Sequence, residues 1–198
     1  MSAKTTINIK IIIASLAFFV ITECKNDTGV VPKPYGYFRI SMPENTYKKF
    51  DADKKPYTFE YSKIAEIEEH SDKPEQNWIN IVYPKHNATI YITYLNIKNN
   101  LDTILNDSHN FTYRHTIKAD AIEEITYFFP ERNVFALYAE IEGDAASPIQ
   151  FLMTDSTRNF VRGSLYFNAA PNSDSIAPVV DFIRKDIIHL LETLEWKK

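Results

Sequence analysis

Between Ile176 and Leu194 apolar residues return every three or four positions: Ile176, Val179, Val180, Ile183, Ile187, Leu190, Leu191 and Leu194. That period predicts a long amphipathic α-helix with a single apolar stripe. Asp181, Arg184, Lys185, Glu192 and Glu195 mostly fall elsewhere on the wheel. Ser175 suits the N-cap, which places Pro178 in the first turn, where its missing N–H costs little. The stripe must lie on something, and a sheet is the only large candidate.

The rest of the chain supplies strands for it. Period-two alternation and aromatic content mark YGYFRI (35–40), YTFEY (57–61), WINIVY (78–83) and ATIYITYLNI (88–97), with a turn at Pro84–Asn87. The period then changes. Asn100 can cap a helix over about 100–117, with Leu101, Ile104, Leu105 and Phe111 on one face and Asp102 in the first turn. Strands return at 123–129, 134–142, 149–154 and 160–167. In VFALYAEIE the residues Phe135, Leu137, Ala139 and Ile141 share a face. Consecutive strands joined by short loops mean an antiparallel meander and not βαβ units. The expected fold is α+β: an antiparallel sheet with two main helices packed on it. Its element order resembles the Mog1/PsbP-like sandwich. Aromatic content of 14% with only 4 glycines in 198 residues suits such a sheet.

The N-terminus reads as an export signal. Lys4 and Lys10 precede the apolar run Ile11–Ile21, which is short for a membrane span and the right length for a signal. The only cysteine, Cys24, follows directly. Diacylation of its thiol and cleavage before it would make the chain a lipoprotein, since two or more acyl chains anchor stably. The residue before it, Glu23, departs from the small residue that lipidation signals usually carry. The alternative is an uncleaved signal anchor. The expected organisation is a signal at 1–23, the lipidated cysteine and a proline-bearing tether at 24–34, and one domain at 35–198. The anchored domain would face the periplasm.

One cysteine excludes an internal disulfide, a four-cysteine zinc site and a CxxC redox pair. A formal net charge of −4 argues against a nucleic-acid binder. The chain carries no GxSxG, Walker loop or GxGxxG. His109 and His115 are six apart, so they do not share a helix face as metal-binding HExxH histidines do. No cofactor and no metal are expected. Two polar clusters remain. In RHTIKAD the residues Arg114, His115 and Lys118 close the first helix, where the helix dipole alone favours cations. In TDSTRNFVRG, Asp155 sits in a turn, Arg158 at a hairpin tip and Arg162 inside a strand. Arg162 either pairs with a carboxylate such as Glu140 or faces a partner. These six residues are the candidate partner-binding set. A small-ligand or glycan-binding module, with a pocket lined by tyrosines, is a second reading. A hydrolase using His115 with Asp120 or Asp155 is a third.

Five strings taken together resemble the GldD family of gliding-motility lipoproteins of the Bacteroidetes: PKPYGYFRISMPENTYKKFD (32–51), PYTFEYSK (56–63), HTIKADAIEE (115–124), EGDAASPIQFLMTDSTRNFVRGSLYFN (142–168) and PNSDSIAPVVDFIRKDI (171–187). The resemblance implies a non-enzymatic envelope lipoprotein needed for gliding. Its expected partners are other motility lipoproteins or components of type IX secretion. Cys24 matches the family's lipidated cysteine.

Overall fold

The computed structural model describes residues 42–69, 77–113, 119–168 and 173–197. All lie in one compact unit, Arg39–Lys198. The strand expected at 35–40 and the anchor at Cys24 fall outside the described residues, as do Arg114, His115 and Lys118.

Among the described residues ten strands and two α-helices follow one another: β1 Tyr47–Phe50, β2 Tyr57–Ser62, β3 Glu66–Glu69, β4 Ile79–Tyr83, β5 Ala88–Asn96, α1 Leu101–Tyr113, β6 Ala119–Phe129, β7 Val134–Gly143, β8 Ile149–Thr154, β9 Asn159–Phe167, α2 Ser173–Thr193 and β10 Glu195–Trp196. Seven strands form one sheet in the order β3-β4-β5-β9-β8-β7-β6. Three form a small sheet, β1-β2-β10. Every pairing is antiparallel. The fold is therefore α+β.

One face of the large sheet holds the main core. Ile79, Ile81, Tyr83, Ile90, Val134, Tyr138, Met153 and Leu165 meet Phe59 and Tyr57 of the small sheet and the stripe of α2. Ile183, Ile187 and Leu191 of α2 are fully buried. Each such side chain contributes about 1.5–3 kcal/mol of transfer free energy. The helix is as expected, except at its start. It begins at Ser173, so Ser175 is inside it and Pro178 stands one turn further in than a first-turn proline.

α1 packs on the opposite face, around Ile104, Ile97 and Phe160 with Leu101, Leu105 and Leu152. The expected apolar face of α1 holds for the first three of its residues. Phe111 is 43% exposed. Asn100 does stand before the helix, and its carbonyl accepts the Ile104 N–H. Its side-chain oxygen turns back to the Lys98 N–H instead of capping the first turn. In β7 the four residues Phe135, Leu137, Ala139 and Ile141 do alternate together, but on the α1 side; the main core takes Val134, Ala136 and Tyr138.

Two turns share one design. Pro84–His86 and Pro130–Arg132 are single 3-10 turns, each closed by an asparagine in the left-handed region, Asn87 and Asn133, both at φ 49°. Proline presets the first φ, and asparagine tolerates the last one better than most residues.

Candidate functional site

The TDSTRN turn joins β8 to β9. The Asp155 carboxylate holds it: Oδ1 accepts the N–H groups of Thr157, Arg158 and Asn159 at 2.8–2.9 Å. Oδ2 accepts Asn159 Nδ2 at 2.7 Å. Burial alone would raise the Asp155 pKa, but these bonds more than offset it, so the carboxyl sits below its ordinary value. Both oxygens are committed to the turn. Asp155 is a staple and not a free acid or base. Asp120 lies at the far end of the β6–β7 ladder from it, since Ala119 pairs with Gly143 while Phe135 pairs with Thr154. The two carboxylates do not converge.

Arg162 does not pair with Glu140. The two lie on opposite faces of the sheet, because Arg162 stands across from Leu152 and Leu137, while Glu140 stands across from Ile149. Glu140 instead binds Arg184 of α2. The Arg162 guanidinium lies 4.3 Å from the centre of the Phe111 ring. Burial pushes its pKa below the ordinary arginine value. A cation stacked on an aromatic ring is a sufficient structural role.

Arg158 is different. Its side chain is exposed and has no ion-pair partner among the described residues. It borders a groove of about 930 Å³ at the end of the molecule where loops converge. The β1–β2 loop brings Lys54 and Lys55, the lead into β4 brings Asn77, and the β6–β7 turn brings Arg132 and Asn133. The chain's end brings Trp196 and Lys197. Most of these are held in place. Trp196 Nε1 donates to the Asn133 carbonyl at 3.2 Å, and Tyr57 Oη to the Asn77 carbonyl at 2.6 Å. Lys197 binds Asp51 and the Ala52 carbonyl, which holds the Asp51 carboxyl below its ordinary value. Lys55 is buried and paired with Glu69 at 3.4 Å. Arg132 donates to the Leu194 carbonyl. That leaves Lys54 and Arg158 as exposed cations without a partner among the described residues. The lining also carries the exposed carboxylate Asp53 beside Lys54, so its cations outnumber its acids, five to two with the stapled Asp155, in a chain whose net charge is negative.

A second polar centre is buried. Asp186, 2% exposed, accepts from Tyr83 Oη at 3.0 Å and Asn45 Nδ2 at 2.7 Å. Burial, then Asp186, pushes the Tyr47 hydroxyl up to about 12. Tyr47 stacks on His189 at 3.6 Å, and His189 meets Glu60 at 2.7 Å. This network joins α2 to β1, β2 and β4. Sequence reading missed it, although Asp186 stands three after Ile183 and four before Leu190, inside the apolar stripe.

The tyrosines divide. Tyr57, Tyr83 and Tyr138 fill the core. Tyr91 and Tyr166 stand edge to face at 5.7 Å and border a hollow of about 560 Å³ with Thr89 and Asn168.

Residues 27–196 match the model of the family described as gliding motility lipoprotein GldD. The chain belongs to this family. A search of curated proteins returns no match. Among solved structures, the chain is similar to the solution structure of cyanobacterial PsbP from Synechocystis sp. PCC 6803, with 8% identity and a TM-score of 0.43 over 75% of this chain and 95% of that one. As a member of a lipoprotein family the chain is an envelope protein associated with a membrane. Among the described residues no helix is long and apolar enough to cross one.

Proposed function

We propose that this GldD-family protein is a non-enzymatic accessory or assembly factor of the gliding and type IX secretion apparatus. It is tethered through lipidated Cys24, with its domain in the periplasm, and docks another motility lipoprotein or secretion component in the loop-end groove. The observation that carries the docking site is the convergence of six chain segments, the end of β5 at Asn96 included, around two unpaired exposed cations, Lys54 and Arg158. Loops positioned by a rigid scaffold are where binding residues concentrate. Unpaired cations there suit an acidic surface on the partner. Of the six residues singled out in the sequence, Arg158 and its staple Asp155 belong to this site. Arg162 stands apart against Phe111.

The hollow beside Tyr91 and Tyr166 supports a second reading, a small-ligand or glycan-binding module, since paired aromatic rings with polar neighbours suit such ligands. Cells carrying Cys24→Ala or Tyr91→Ala separate the claims. Palmitate-analogue labelling, membrane fractionation and surface spreading are scored on the same cultures. The tethered-factor reading requires that Cys24→Ala lose label, membrane retention and spreading, while Tyr91→Ala spreads normally. An unlabelled Cys24→Ala protein that stays in the membrane makes the apolar run the anchor. Loss of spreading in Tyr91→Ala at normal abundance favours the ligand module.

A further inference from the structure

We infer that β6 is a docking edge for a cationic, extended peptide segment of a partner protein, added as a further strand of the large sheet. The sheet ends on one side at β3 and on the other at β6. The β3 edge is blunted in two ways: it has 4 residues, and Glu66, Glu68 and Glu69 are exposed. Short, charged edges are how natural sheets refuse another strand. β6 differs in length and in carrying its charges at one end only. It runs for 11 residues and pairs with β7 alone among the described strands. Glu123, Glu124, Ile125 and Thr126 are exposed in succession, so neither face of this stretch is covered. Ile125 and Phe128 are 40% and 55% exposed, and Phe128 stacks on exposed Phe135 of β7 at 4.4 Å. A long bare edge offers main-chain hydrogen bonds to an added strand, with side-chain sites at alternate positions for specificity.

Charge decides which strand fits. Glu123 stands directly across from Glu140, and Ala121 across from Glu142. Like charges opposed across a ladder are destabilising. Arg184 answers Glu140, but Glu123 and Glu124 have no cation among the described residues. Asp120 adds a third exposed carboxylate at the same end. The edge thus runs from an acidic half to an apolar half around Ile125 and Phe128. A segment with Lys or Arg at alternating positions, then apolar residues, complements both. A second copy of β6, ADAIEEITYFF, carries no cation to answer these carboxylates. The edge selects cations while the groove presents them, so the two surfaces succeed or fail independently.

The test uses the full chain in detergent micelles and residue-resolved hydrogen–deuterium exchange. The probe is a short synthetic peptide alternating lysine and valine; the control alternates glutamate and valine. The lysine peptide should slow exchange in β6 by about tenfold or more, as new backbone pairing does, and the control should not. Glu123→Lys with Glu124→Lys, both exposed, should leave the unfolding transition in place and reverse the preference, while Arg158→Glu should leave it unchanged. No β6 protection by the lysine peptide overturns the inference. Equal protection by both peptides also overturns it, as does a dimer with β6 protected in the absence of peptide.

Discussion

Asp186 sits on the buried side of α2, where a carboxylate without partners would be expensive. It is kept there by donors from two other elements: Tyr83 in β4 and Asn45 before β1. Asp186→Ala strands the Tyr83 hydroxyl in the core. The expected loss is about 2–4 kcal/mol by denaturant titration, within the range for breaking a buried charged network; an unchanged midpoint would contradict the assignment. Asp155 makes a pH-dependent contribution. Its folded pKa lies below the ordinary value, so its stabilisation is present above the unfolded value near 3.9 and fades as pH falls through the folded one. Asp155→Ala should cost about 1–3 kcal/mol at neutral pH, and the gap to wild type should narrow in strong acid. A gap that is constant from neutral pH into acid would sink the staple. Asp155 was legible as a turn residue because aspartate bonds its own backbone locally. The partner of Arg162 was not, because its stacking on Phe111 depends on where α1 crosses the sheet.

Elements were legible where their period is long. α2 and strands β2, β4, β5, β7, β8 and β9 stand close to where alternation and spacing put them. β1, β3 and β10 were missed. They have 4, 4 and 2 residues, two of them rich in lysine or glutamate, and they exist through pairing with β2 or β4 and not through propensity. β6 begins earlier than its aromatic run suggests, at Ala119, because pairing with β7 extends it through an irregular step at Ala119/Ala121. Gly163 in β9 shows how tightly these ladders close. It pairs with Phe151, and a Cβ there would stand 2.0 Å from the Phe151 ring. Gly163→Ala should therefore destabilise the fold by about 1–3 kcal/mol, the usual cost of overpacking, despite alanine's better fit to a strand. A thermal midpoint at or above wild type would show that Phe151 moves aside freely.

At the scale of the whole molecule, the groove was the least legible feature. Its charged and aromatic residues run from Asp53 to Lys197, and no local period or motif links them. Antiparallel strands bring their ends together, and the C-terminal residues close the ring through Trp196 and the pairing of Lys197 N–H with the Pro56 carbonyl. Family membership fixes the process, gliding motility. The groove supplies the surface through which we place the protein in it. Lys54→Glu with Arg158→Glu reverses the charge of that surface at two exposed positions, without touching the staple, the core or Cys24. Surface spreading of cells carrying this double variant, with its membrane-fraction abundance measured alongside, tests the docking surface directly. Docking through the groove requires that spreading be lost while abundance stays at the wild-type level; normal spreading with the groove charge reversed would contradict it.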